Sequence, residues 1–80
     1  FSTKELKNIN GVVVTEIISE EIPLIIGDVI IEINREKINN VNQFRDYVSK
    51  IKQTGRSSVL LRVIRDRETI WVTLKYLQNN

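Results

Sequence analysis

The stretch Gly27-Asp28-Val29-Ile30-Ile31-Glu32-Ile33-Asn34 has the composition of a buried β-strand that ends at a turn. Branched aliphatic side chains pack well on a pleated, half-buried surface, so the segment favours strand over helix. We expect the strand to span residues 28–33, although its alternation is imperfect because Ile30 shares a face with Glu32. Asn34 tolerates the left-handed backbone conformation, which predicts a polar turn after the strand.

Upstream of this strand, the sequence predicts an earlier strand followed by a loop. Residues 11–18 form an almost continuous apolar run that begins at a glycine. Residues 19–26 contain Pro23, which cannot donate a ladder hydrogen bond, so a central strand is excluded there. We expect this loop to cap the core with its apolar side chains, which are Ile22, Leu24, Ile25 and Ile26.

Downstream, the pattern changes to that of a helix over residues 42–54. Asn39 and Asn40 are candidate N-caps, and Gly55 is suited to the position just past the helix end. Apolar residues at helical spacing define one face that should contact the core. These residues are Val41, Phe44, Val48 and Ile51.

The remaining segments are predicted to be strands. A short strand at residues 37–38 should precede the helix, and residues 58–65 and 69–77 should follow it. Only residues 66–67 separate the last two strands, which allows nothing longer than a tight hairpin. In the last strand, Trp71 lies on the face opposite the inward-facing positions, which are Ile70, Val72 and Leu74.

These elements predict one α+β domain over residues 1–80, with its core at 11–77 and a frayed tail at 78–80. About five strands should form a partly open β-barrel or sandwich, and the main helix should cover one mouth of it. A length of 80 residues fits one domain and not two.

The composition excludes several kinds of site. The chain has no Cys and no His, which removes disulfides, thiolate metal sites, Cys nucleophiles and the Ser-His-Asp triad. Its three Gly residues are too far apart for a phosphate-binding loop. We therefore expect no catalytic residue, no metal site and no cofactor in this segment. The longest uncharged apolar run, residues 22–26, is far short of the roughly 20 residues of a membrane span, so no membrane insertion is expected.

Charge is unevenly distributed along the chain. Residues 1–34 carry two cations against six carboxylates, whereas residues 35–80 carry ten cations against four carboxylates. A basic half is compatible with a polyanion partner, which would give binding a steep salt dependence. Most of these cations fall at positions expected on a solvated face, so we expect no nucleic-acid partner.

Several segments of the chain match the pattern of a known domain family. They are Gly11-Val12-Val13-Val14-Thr15-Glu16-Ile17, the stretch from Gly27 to Asn34, Ile38, Phe44-Arg45 with Val48, and Val59-Leu60-Leu61-Arg62-Val63-Ile64-Arg65-Asp66. Together they resemble the core signature of a PDZ domain. Their order resembles that of the circularly permuted bacterial PDZ domains attached to HtrA/Deg serine proteases.

The resemblance implies a non-catalytic module that binds a peptide or unfolded-protein segment by β-augmentation, beside an edge strand and a helix. It implies that the parent protein is a serine endopeptidase of protein quality control in the bacterial cell envelope or periplasm. The module would regulate or assemble that protease, and its partners would include other domains or subunits of it. The alternative is a structural or oligomerisation domain without a working groove, with contacts through Trp71 or residues 22–26.

The resemblance also implies a set of ligand-binding residues. Residues 1–10 would hold a truncated groove strand and a linker, and the start of that strand would pair with the ligand backbone. Phe44 would form the pocket floor, unless Phe44 and Val48 only pack in the core. Arg45 is either a groove residue that prefers acidic ligands or a surface cation. The residues implied are Phe1, Ser2, Thr3, Val41, Phe44, Arg45 and Val48.

The sequence departs from the family pattern at three places. The connection at residues 19–26 is about two residues shorter than is usual in the family. Arg35 and Arg67 stand where the family has Gly, so we expect altered turns at both positions. The loop that holds a peptide's terminal carboxylate in the family has no counterpart here, since the first Gly is Gly11. Either the segment begins downstream of that loop or the domain lacks it.

Overall fold

A computed structural model describes residues 2–6, 9–17, 22–55 and 58–75. They form one antiparallel sheet and one helix, which confirms the α+β class. The sheet is open and is not closed into a barrel. In chain order, the elements are β1 (Ser2–Leu6), β2 (Ile9–Glu16), β3 (Val29–Ile33), β4 (Glu36–Lys37), α1 (Val41–Gln53), β5 (Ser58–Arg65) and β6 (Glu68–Lys75).

The strands follow the spatial order β1-β2-β3-β5-β6, and the two-residue β4 pairs with β3. One face of this sheet supplies most of the core, and Phe44 and Ile51 of α1 pack against it. Because strand side chains alternate between faces, Val59, Leu61 and Val63 of β5 are buried and the residues between them are not. The buried apolar residues are Val12, Val14, Leu24, Ile30, Ile33, Ile38, Phe44, Ile51, Val59, Leu61, Val63, Val72 and Leu74.

Helix α1 begins and ends one residue earlier than the sequence predicts. Asn40 is the N-cap, with extended backbone, and its side chain accepts a hydrogen bond from the Gln43 N–H at 2.9 Å. Thr54 is the C-cap, and Gly55 follows with φ 80°, a conformation that suits Gly. Of the two N-cap candidates, Asn40 is confirmed and Asn39 is not the cap, and Gly55 has the predicted position just past the helix end.

Strand β2 begins at Ile9, two residues before the expected start, so Gly11 lies inside the strand. A Cβ atom at Gly11 would lie 2.8 Å from the carbonyl oxygen of Ile30. The backbone of β2 can approach β3 this closely because Gly11 has no side chain. The last strand, β6 (Glu68–Lys75), begins one residue before the expected start, and its predicted end at residues 76–77 lies outside the described residues.

The expectation of altered turns at the two Arg positions is wrong. Asn34 and Arg35 have φ 49° and 69°, and Asp66 and Arg67 have φ 50° and 68°. Each pair is the two-residue loop of a hairpin, which needs positive φ at both positions to match the twist of its strands. The pairing of the strands therefore imposes the left-handed conformation on both Arg residues.

The loop before β3 differs from expectation at two residues. Leu24 is buried and Ile22 packs against the core, as predicted, but Ile25 and Ile26 are 54% and 62% exposed. The outward direction of these two side chains follows from the turn held by Asp28, whose carboxylate accepts a hydrogen bond from the Ile25 N–H at 2.8 Å. Residues 19–21 lie outside the described residues.

Candidate functional site

Strand β1 forms one edge of the sheet. Among the described residues it pairs with β2 alone, and its register shifts between Ser2 and Thr3 and again between Glu5 and Leu6. An edge strand presents a row of backbone N–H and C=O groups that no neighbouring strand satisfies. These groups could form hydrogen bonds with an added extended chain.

Helix α1 lies beside this edge and contacts both β1 and β2. The Val41 N–H, at the first turn of the helix, donates a hydrogen bond to Glu5 Oε1 of β1 at 3.3 Å. The edge of β1 and the first turn of α1 are therefore neighbours, and we call the region between the two elements the β1–α1 groove.

The predicted strand-side residues lie in β1, apart from Phe1, which lies outside the described residues. Thr3 pairs with Val14, whose side chain is buried, so Thr3 faces the same side of the sheet as the core. Ser2 is exposed, and its hydroxyl donates to a carboxylate oxygen of Glu16 at 3.5 Å.

The predicted helix-side residues have two kinds of environment. Phe44 is 8% exposed and belongs to the core, whereas Val41 and Val48 are half-buried and pack against it. Arg45 is exposed. Burial thus places Phe44 below the helix surface, and Arg45 remains accessible from solvent.

Glu5 was absent from the predicted site, although its hydrogen bond directly joins the two elements of the groove. It pairs with the fully buried Val12, so it lies on the same face of β1 as Thr3. The sequence could have indicated Glu5, because it lies two residues after Thr3 and strand residues at i and i+2 share a face.

A second polar cluster lies at the start of β3. Arg65 donates from Nε to Asp28 Oδ1 at 2.9 Å and from Nη2 to Oδ2 at 2.7 Å, and Nη2 also donates to the Pro23 carbonyl at 3.3 Å. Burial of the Asp28 carboxyl raises its pKa, but hydrogen bonds from Arg65 and the Ile25 N–H outweigh burial and hold the pKa below its usual value. This ion pair anchors the loop to β5.

Cavities among the described residues also lie outside β1. One, of about 250 Å³, is lined by Tyr47, Lys50, Ile51 and Thr54. The Tyr47 hydroxyl donates to Glu36 Oε2 at 3.1 Å, and desolvation together with that carboxylate raises the pKa of Tyr47. Another cavity, of about 150 Å³, lies beside the Asp28–Arg65 pair and is lined by Ile25, Ile26, Gly27, Asp28, Arg65 and Asp66.

The sheet face opposite α1 carries Trp71, which is 53% exposed. The Arg62 guanidinium lies 5.4 Å from the Trp71 ring centroid and pairs with Glu32 at 2.8 Å. Trp71 is therefore on the predicted outer face, beside a cation that stacks on it.

Within the described residues, no group of three or more His, Cys, Asp or Glu side chains is placed to hold a metal ion. No helix in the described part of the chain has the length and apolar character needed to cross a bilayer.

No family model matches the chain. The chain is 28% identical over 67 residues to a probable periplasmic serine endoprotease, DegP-like, of Rickettsia conorii. The similar region covers 84% of this chain and 13% of that protein. The chain therefore corresponds to a small part of the relative's length.

Proposed function

We propose that this chain is a non-catalytic, PDZ-like module of an HtrA/Deg-type serine protease, which binds extended peptide segments in the β1–α1 groove. The observation that carries the proposal is the position of β1, which pairs on one side with β2, has no other partner among the described strands, and is contacted by α1. Backbone hydrogen bonds to β1 would supply affinity, and side chains facing the helix would supply selectivity.

The residues proposed to contact the ligand come from both sides of the groove. On the strand side they are Ser2 and Thr3, together with Phe1. On the helix side, Val41, Arg45 and Val48 line the groove, and Phe44 supports it from the core. Half-buried Val41 and Val48 offer apolar surface, which suits a ligand with apolar side chains.

The similarity to a periplasmic serine endoprotease supports the wider setting of this proposal. In that setting the parent protein is a serine endopeptidase of the bacterial periplasm that acts in protein quality control. The module binds peptides or unfolded-protein segments and contacts other domains or subunits, with no nucleic acid, cofactor or membrane insertion involved.

A titration followed by NMR tests the proposal. The chain, labelled with ¹⁵N, is mixed with ten-residue peptides that end in apolar residues. The proposal expects amide shifts confined to β1 and α1, and the same affinity in a Trp71→Ala control, because Trp71 lies on the opposite face. Shifts confined to the outer face, or no shifts at millimolar peptide, would contradict it.

A second candidate function is assembly of the parent protein through exposed apolar side chains. Trp71, Ile25 and Ile26 are each more than half exposed, and such side chains often mark contact surfaces when they cluster. This function expects concentration-dependent self-association in sedimentation equilibrium, lost on Trp71→Ala or on a double Ile25→Ser, Ile26→Ser change. A monomer at all concentrations, with peptide binding intact, would favour the groove instead.

A further inference from the structure

Glu5 lies where a ligand in the β1–α1 groove would pass. Its partner in the β1–β2 register is Val12, which is fully buried, so the Glu5 side chain projects to the face that α1 covers. The neighbouring Lys4 pairs with Val13 and projects to the other face. The carboxylate thus belongs to the groove, and the adjacent cation does not.

The Glu5 carboxylate also accepts a hydrogen bond at the N-terminus of the helix. The first turn of α1 contains no acidic residue of its own, and Glu5 accepts from the Val41 N–H there at 3.3 Å. A carboxylate is stabilised at this position because the amide dipoles leave positive charge at a helix N-terminus. The side chain is exposed, and within the described part of the chain no Lys or Arg forms an ion pair with it.

We propose that Glu5 determines specificity in the groove by selecting peptides with a basic side chain opposite it. This inference rests on the proposed function. A lysine or arginine of the ligand would gain an ion pair with a carboxylate that has no cationic partner among the described residues. An acidic side chain would be repelled by Glu5 and would find the Val41 N–H already occupied.

The size of the preference follows from the exposure of the site. Exposed ion pairs contribute modestly because water and salt screen them. Attraction of the basic ligand and repulsion of the acidic one together correspond to about a fivefold difference in affinity. The preference should fall as salt concentration rises.

The experiment uses three sets of fluorescein-labelled ten-residue peptides of glycine and serine that end in two valines. One lysine, glutamine or glutamate is moved through the positions upstream of the valines, and fluorescence anisotropy gives each Kd. At one position, the lysine peptide should bind about fivefold more tightly than the glutamate peptide. Glu5→Gln should bring this ratio to about one, and Glu5→Lys should invert it.

Glu68→Gln is the matched control, because Glu68 is an exposed carboxylate on β6, at the opposite edge of the sheet. It should leave the ratio unchanged. If Glu5 only caps the helix, Glu5→Gln would weaken all three peptides alike and keep the ratio, which would overturn the inference. Equal binding of all peptides to the unmodified chain would overturn it while leaving the proposed function intact. Absence of binding by every peptide would overturn both.

Discussion

The Arg65 guanidinium donates hydrogen bonds to both carboxylate oxygens of Asp28, at 2.9 and 2.7 Å, although the two residues are 37 positions apart in the sequence. Asp28 is 2% exposed, whereas the Arg65 side chain is 27% exposed. The pair joins the loop before β3 to the end of β5. A buried carboxylate that is fully hydrogen-bonded fixes one geometry, because its loss would leave polar groups without partners.

Asp28→Asn should lower the free energy of unfolding by about 3 kcal/mol, because it removes one member of a buried ion pair. Urea unfolding followed by circular dichroism measures the change. Glu32→Gln is the matched control, since it breaks the more exposed Arg62–Glu32 pair and should cost less than about 1 kcal/mol. Equal decreases in the free energy of unfolding for the two variants would show that burial of the Asp28–Arg65 pair adds nothing to its contribution to stability.

The lowered pKa of Asp28 makes its contribution to stability dependent on pH. The unfolded chain binds a proton at about pH 3.9, whereas the folded chain binds it only at lower pH. The contribution is therefore complete above about pH 4 and is lost as pH falls through the folded-state pKa. The stability difference between the unmodified chain and Asp28→Asn should shrink from pH 6 to pH 2. A difference that stays constant over this range would contradict the assignment.

Arg35→Gly and Arg67→Gly should each raise the free energy of unfolding by about 0.5–1 kcal/mol. Both Arg residues have positive φ, which costs a non-Gly residue about 1–2 kcal/mol, and the greater freedom of Gly in the unfolded chain offsets part of the gain. Arg45→Gly is the control with opposite sign, because Gly inside α1 should cost about 1 kcal/mol. Destabilisation by either turn substitution would refute the argument.

Gly11→Ala should destabilise the fold by about 2 kcal/mol or more, since the new Cβ would lie 2.8 Å from the Ile30 carbonyl oxygen. Gly55→Ala is the comparison, because it also has positive φ but open space around the position of a Cβ. It should cost only the backbone term of about 1 kcal/mol. Thermal unfolding of both variants separates the effect of the close contact with Ile30 from the effect of backbone conformation. A larger loss of stability in Gly55→Ala than in Gly11→Ala would contradict the role of the close contact.

Local signals explain what the sequence predicted well. The span of α1 follows from apolar spacing, the Asn40 cap and Gly55, all within one segment. The β5–β6 hairpin follows from two alternating runs separated by two residues. Such features depend on neighbours in the chain, so a single sequence contains them.

Long-range contacts explain what it predicted poorly. The outward direction of Ile25 and Ile26 depends on the turn held by Asp28, which Arg65 reaches from a distant strand. The approach of Glu5 to Val41 joins residues 36 positions apart. The sequence around Lys4 and Glu5 does not predict a strand, because an exposed edge strand lacks clear apolar alternation.

Among the residues that the structure describes, strand β1 joins the sheet through β2 alone, and its register is interrupted twice within five residues. It has fewer ladder hydrogen bonds to break than β5, which pairs with both β3 and β6, so its amide protons should exchange with solvent before those of β5. A bound chain that pairs with the other side of β1 would add hydrogen bonds to those that β1 already makes with β2. Occupancy of the groove would then register as slowed deuterium uptake in Ser2–Leu6, a change in dynamics that needs no movement of the fold.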